Sequence, residues 1–132
     1  MKRHEMYDKR PSDRELTKRL DEAKEFLKNR HGMFAIPSKV VGELNDLDIG
    51  DTNDVWQLIM ELLEEISPED YKGSRPPQKS YEKAIAGSEL FAFSWWSTKC
   101  AKQMYIKFVL KNERYHYVSL HQSRSTEQKG ED

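Results

Sequence analysis

The hydrophobic positions of this chain follow two periods, and the change from one to the other divides it. Leu16, Leu20, Ala23, Phe26 and Leu27 recur at helical spacing and make one apolar stripe. Ser12 stands before them as an N-cap, with Glu15 three residues on to complete a capping box, and His31-Gly32 follows as a stop. Lys18, Arg19, Glu22, Lys24 and Glu25 fall on the solvated side. Phe34-Ala35-Ile36-Pro37 does not continue a helix, because proline restricts the residue before it. A short helical turn from Pro37-Ser38 through Val40, Val41 and Leu44 and a polar connector, Asn45 to Asn53, lead to the clearest helix, Asp54 to Ile66. That helix starts at Thr52 or Asn53 and carries Val55, Leu58, Ile59, Leu62 and Leu63, with Trp56 and Met60 widening the stripe and Pro68 marking its end.

From Ser88 to Ser123 the period becomes two. Leu90–Trp96 is aromatic and apolar, Gln103–Leu110 alternates, and Tyr115–His121 alternates again after Lys-Asn-Glu-Arg, the pattern of an antiparallel meander. Successive strand side chains point to opposite faces, so Met104, Ile106, Phe108 and Leu110 form one apolar row. On the last strand His116, Val118 and Leu120 are the more apolar row. Burying both rows leaves Tyr105, Lys107, Ser119 and His121 on one open face. That condition selects the turn: a two-residue loop at Asn112 and Glu113 sets Tyr105 opposite Leu120, whereas a three-residue loop, Asn112–Arg114, or an equivalent bulge, sets it opposite His121 and sets Lys107 opposite Ser119. The fold class expected is α+β, with N-terminal helices packed on a C-terminal antiparallel sheet of three or more strands.

Between these halves, Ser67–Gly87 is polar, broken by Pro68, Gly73, Pro76, Pro77 and Gly87, and gathers Lys72, Arg75, Lys79 and Lys83. Ser80–Ala86 has room for one helical turn. A chain of 132 residues reads as one domain, with residues 1–10 and 124–132 as flexible tails. The formal net charge of -1 removes any global argument for a nucleic-acid partner, so such a partner requires a local basic patch. The one cysteine, Cys100, points to a reducing compartment; no apolar run reaches membrane-spanning length and no secretory signal follows the charged start, so a cytoplasmic protein without a membrane partner is expected. No metal-ligand spacing, phosphate-binding glycine loop or nucleophile elbow is present, so neither a metal nor another cofactor is expected.

The candidate chemistry lies in Lys72 and Arg75 of the loop, Tyr105 and Lys107 on one strand and His121 on the next. Breaking an RNA phosphodiester without a metal needs a base for the 2′-hydroxyl, cations for charge developing on the phosphate, and an acid for the departing 5′-oxygen. Histidine serves either proton role near neutral pH. Each residue also has a plainer reading: His121 as a strand end, Tyr105 as a packing aromatic, Lys107 as a surface guard, Lys72 and Arg75 as loop charges. Of Trp95 and Trp96, one ring faces the core and the other is available to stack on bases.

The order of features resembles the MqsR (motility quorum-sensing regulator) family of bacterial toxins over about Leu16–His121. The likeness is carried by Tyr71-Lys72 after the helix, Tyr105-Ile106-Lys107-Phe108 on a strand, and Ser119-Leu120-His121 at its end. It implies a RelE-like fold, metal-independent and ribosome-independent cleavage of messenger RNA, and neutralisation by a cognate antitoxin protein. Lys72 then matches the loop lysine, Tyr105 the strand tyrosine and His121 the terminal basic residue. Apart from the resemblance, the basic loop, the tryptophan turned from the core and the strand lysine make Arg75, Lys79, Trp96 and Lys107 the expected RNA-binding residues. The chain departs from the family in its Lys72-Gly73-Ser74 and following prolines, in histidine for the terminal lysine, and in lacking a Trp-Gln pair on the first strand. The alternative expectation is a noncatalytic module that binds protein or nucleic acid through the same face.

Overall fold

The computed structural model describes residues 11–73, 79–80 and 82–123; both expected tails and Arg75 lie outside the described residues. The first helix, α1 (Asp13–Lys28), begins at Ser12, whose Oγ accepts the Glu15 N–H at 3.0 Å. The carboxylate of Glu15 is engaged by Arg19 at 2.7 Å. Termination falls two residues earlier than the glycine: Arg30 takes a left-handed conformation (φ 64°), and the His31 and Arg30 N–H groups close onto Phe26 and Leu27 carbonyls at 2.8 and 2.9 Å. Gly32 instead opens a short strand, β1 (Gly32–Phe34), where a Cβ would stand 2.8 Å from the Trp56 ring. Close approach of an indole, rather than helix termination, is what requires glycine there.

Helix α2 (Pro37–Asp46) is longer than the expected turn, with proline in its first turn where the missing N–H costs nothing. Helix α3 (Thr52–Leu63) starts from Asp51, whose carboxylate accepts the Asn53 N–H at 2.9 Å, and it stops before Ile66. A 3₁₀ turn, Pro68–Asp70, follows, with Ser67 N–H donating to Asp70 at 2.9 Å. The strands β2 (Phe91–Ser97), β3 (Lys102–Lys111) and β4 (Arg114–Gln122) form the expected meander. Sheet order is β1-β4-β3-β2, and β1 runs parallel to β4, so the architecture is α+β with helices first and a mixed four-stranded sheet. The parallel edge strand is an addition to the antiparallel sheet read from sequence.

One sheet face carries the main core. Leu16, Leu20, Leu27, Val40, Val55, Ile59, Leu62 and Leu63 from the helices meet Phe91, Phe93, Trp95, Met104, Ile106 and Phe108 from the strands. Glu65 ties the end of α3 to the sheet by accepting Trp95 Nε1–H and the Lys99 N–H, each at 2.9 Å. Strand β4 corrects the expected row. Asn112 and Glu113 both have positive φ and form a two-residue turn, so Leu110 pairs with Tyr115 and Phe108 with Tyr117; yet Lys107 pairs with Ser119, leaving Val118 as the extra residue of a bulge. Tyr115 and Tyr117 therefore join Leu120 in the main core. Val118 lies on the opposite face with Val109, Ala35 and Ile85, where the 3₁₀ turn Lys83–Ile85 covers it and His116, the partner of Val109, is buried beside them. The expected helical turn in Ser80–Ala86 is this one. Among the described residues no helix is long and apolar enough to cross a membrane.

Candidate functional site

The bulge decides what the second face displays. Beyond it Tyr105 pairs with His121, and their rings stack with centroids 5.1 Å apart and planes at 23°. Lys107, next along the face, holds its Nζ 5.8 Å from the centre of the Tyr105 ring, within cation–π range. His121 is buried, and its Nδ1 lies 2.8 Å from the Gln122 carbonyl oxygen. A carbonyl only accepts, so Nδ1 is the donor in that contact.

Lys72 is brought to the same face through the backbone. Tyr71 forms a bridge with Phe93 and packs its ring against it in the core, and the Lys72 N–H donates to Ala92 O at 2.8 Å. Alternation then turns Lys72 to the side of Ala92 and, across β2 and β3, of Lys107. Two strand spacings, about 10 Å, separate the backbones of the two lysines. Lys79 is exposed and stands opposite Glu89 in an isolated bridge; no described contact ties it to the Tyr105–His121 pair. Trp95 is the tryptophan that turns to the core, and Trp96 is 62% exposed on the site face, opposite Gln103.

Four supporting residues lie outside the set expected from the sequence. Gln103 donates from Nε2 to Ser94 Oγ at 3.1 Å, and Ser94 Oγ lies 2.8 Å from Ser123 Oγ. The fourth is Glu43, buried on α2. Its carboxylate accepts Tyr117 OH at 2.5 Å, Ser119 Oγ–H at 2.8 Å and Leu120 N–H at 2.9 Å, holding the bulged segment where β1 no longer pairs with β4. Burial first, and then the bond and charge of Glu43, push the Tyr117 phenol far above its ordinary value. A charge standing at helical spacing between Val40 and Leu44 was the available signal for Glu43.

A hollow of about 330 Å³ lined by Asp46, Leu47, Lys102, His121 and Gln122 adjoins the histidine. A larger one, about 630 Å³, lies between the end of α1 and the start of α3 among Lys28, Arg30, Trp56 and Gln57, and holds none of the residues predicted for the site. The smaller hollow is the one that His121 lines. Compared with known proteins, the chain matches no family model, no curated protein and no solved structure.

Proposed function

We propose that the protein is an endoribonuclease of the MqsR type, with a RelE-like fold, acting on messenger RNA as the toxin of a toxin–antitoxin pair. The observation that carries this reading is the stacked Tyr105–His121 pair, a half-buried phenol beside a buried imidazole on the sheet face away from the main core. His121 Nε2 takes the proton of the 2′-hydroxyl as its oxygen attacks the adjacent phosphorus. A P–O2′ bond forms, the P–O5′ bond breaks, and the Tyr105 phenol protonates the departing 5′-oxygen, leaving a cyclic phosphate and a 5′-hydroxyl. Lys72 and Lys107 offset the negative charge that builds on the phosphate oxygens.

Every role is assigned to a side chain, so cleavage of purified RNA is expected to persist in a chelator. Folded His121→Ala, Tyr105→Phe and Lys72→Ala proteins are expected to lose it by about a hundredfold or more for the proton-transfer groups. Expression is expected to arrest growth, with relief by His121→Ala or by a cognate antitoxin protein. Absence of turnover on diverse RNAs, with and without ribosomes, from a preparation that melts cooperatively would overturn the proposal. Saturable binding without cleavage would replace it with a noncatalytic binding module.

A further inference from the structure

We infer that Trp96 and Gln103 form a nucleobase subsite, taking one unpaired base of single-stranded RNA next to the Tyr105–His121 pair. The inference rests on the RNA-cleaving reading for the identity of its polymer, and it names the part of the substrate that this end of the face would hold. Trp96 is 62% exposed whereas its neighbour Trp95 is 3% exposed, so the second ring has been left out of a core that its sequence neighbour enters. A single exposed hydrophobic needs no special reason; what surrounds this one supplies it.

Gln103 is the direct cross-strand partner of Trp96, and one N–H of its amide is spent on Ser94 Oγ at 3.1 Å. Ser94 is itself fixed by Ser123 Oγ at 2.8 Å, and Ser123 also approaches Met104 O at 3.4 Å. Both serines are buried. The amide is thus anchored from behind, with its other N–H and its carbonyl oxygen forming a donor–acceptor fork. Stacking on an indole and a fork for a base edge are the two contacts by which proteins hold unpaired bases. Every base edge offers a donor beside an acceptor, while a two-ring base covers more of the indole.

Position completes the argument. Gln103 and Tyr105 point the same way from one strand, about 6.8 Å apart, roughly one step of an extended polynucleotide. Lys107 and Lys72 occupy the following row, where the backbone charge would run. An apolar protein partner fits less well, because the other large exposed hydrophobics among the described residues, Met33 and Val41, belong to β1 and α2 at the opposite edge of the sheet and make no continuous patch with Trp96.

The test uses the full chain and 2′-O-methyl oligoadenylate and oligouridylate, which lack the attacking hydroxyl and cannot be cut by the proposed chemistry. Binding is followed by tryptophan emission and by anisotropy of labelled oligonucleotide. Oligoadenylate is expected to bind more tightly and to quench emission. Trp96→Ala is expected to weaken it between about fivefold and about a hundredfold and to narrow the difference between the two oligonucleotides, with Trp96→Phe retaining most of the affinity, and Gln103→Leu is expected to weaken both oligonucleotides by about threefold to tenfold. Affinity within twofold of the parent for Trp96→Ala, or for both oligonucleotides with Gln103→Leu, would overturn the subsite. So would a Trp96 whose loss abolishes binding to a protein and leaves RNA binding intact. A parent that binds these oligonucleotides through Trp96 and never cuts RNA would overturn the nuclease reading alone; a Trp96→Ala protein that cuts RNA as well as the parent, or a parent that cuts RNA and binds neither oligonucleotide, would overturn the subsite alone.

Discussion

Glu43→Ala is expected to destabilise the fold by about 3 kcal/mol, at roughly 1 kcal/mol for each buried donor deprived of its acceptor. The three donors are Tyr117 OH, Ser119 Oγ–H and Leu120 N–H, at 2.5, 2.8 and 2.9 Å from the carboxylate. The lower end of the usual cost is used because the two hydroxyls can rotate toward other acceptors, although the Leu120 N–H has no such freedom. At about 4 °C per kcal/mol for a domain of this size, melting should fall by about 12 °C. Glu43→Gln keeps one carbonyl oxygen and similar volume, so about 1 kcal/mol is expected. Thermal and urea unfolding of the parent and both variants, followed by far-ultraviolet circular dichroism, supplies the comparison. An alanine variant within about 0.5 kcal/mol of the parent, the range of ordinary surface changes, would refute the reasoning, as would equal losses from alanine and glutamine.

Two further outcomes test the surroundings of the site. The Tyr115 hydroxyl is buried with no hydrogen-bond partner among the described residues, and burial alone pushes its pKa far up; Tyr115→Phe should leave stability unchanged or raise it by about 1 kcal/mol, whereas Tyr117→Phe should lower it by about 1.5 kcal/mol through loss of a bond to a carboxylate, as read from urea midpoints. At Glu65, burial pushes the carboxyl pKa up, but hydrogen bonds from Trp95, the Lys99 N–H and the Ser97–Thr98 turn outweigh it and hold the group below its ordinary 4.5. The unfolded chain takes up that proton at higher pH than the folded one, so the stabilisation is present above the ordinary value and fades as pH falls through the lower folded value. The melting difference between parent and Glu65→Gln should therefore be positive at neutral pH and shrink on acidification; a pH-independent gap would reject the linkage.

The helices and the meander could be read in advance because their signals are local. Leu16–Leu27 and Val55–Leu63 follow the helical period, and Lys102–Lys111 follows the strand period, so one face of each element is apolar without reference to the rest of the chain. Features set by distant contacts leave no such local signal. Gly32 has the form of a helix stop, yet Arg30 ends α1 and Trp56 is what presses on the glycine. The three-residue strand β1 is too short for a period to show, and only Tyr115–Tyr117 on β4 define it. His116 and Tyr117 occupy the faces opposite to those that simple alternation predicts, because alternation assumes an uninterrupted ladder and β4 has one extra residue.

That extra residue joins the fold to the site. With Asn112 and Glu113 alone in the turn, an unbroken ladder would place Tyr105 against Leu120 and drive His121 into the face packed by α1 and α3. The bulge at Val118 returns Leu120 to the core and His121 to Tyr105 in one step. It opens a gap in the edge pairing of β4, since β1 reaches only as far as Tyr117, with one further bond from Ala35 N–H to Tyr117 O. Glu43 closes that gap by accepting the Leu120 N–H together with the hydroxyls on either side of Val118. A residue on α2 thus selects the register that the proposed chemistry requires. The prediction follows that Glu43→Ala should weaken the Tyr105–His121 ring-current shifts in an NMR spectrum even below the melting transition; unchanged shifts would show that the bulge is held by packing of Val118 on Val109 and Ile85 rather than by the carboxylate.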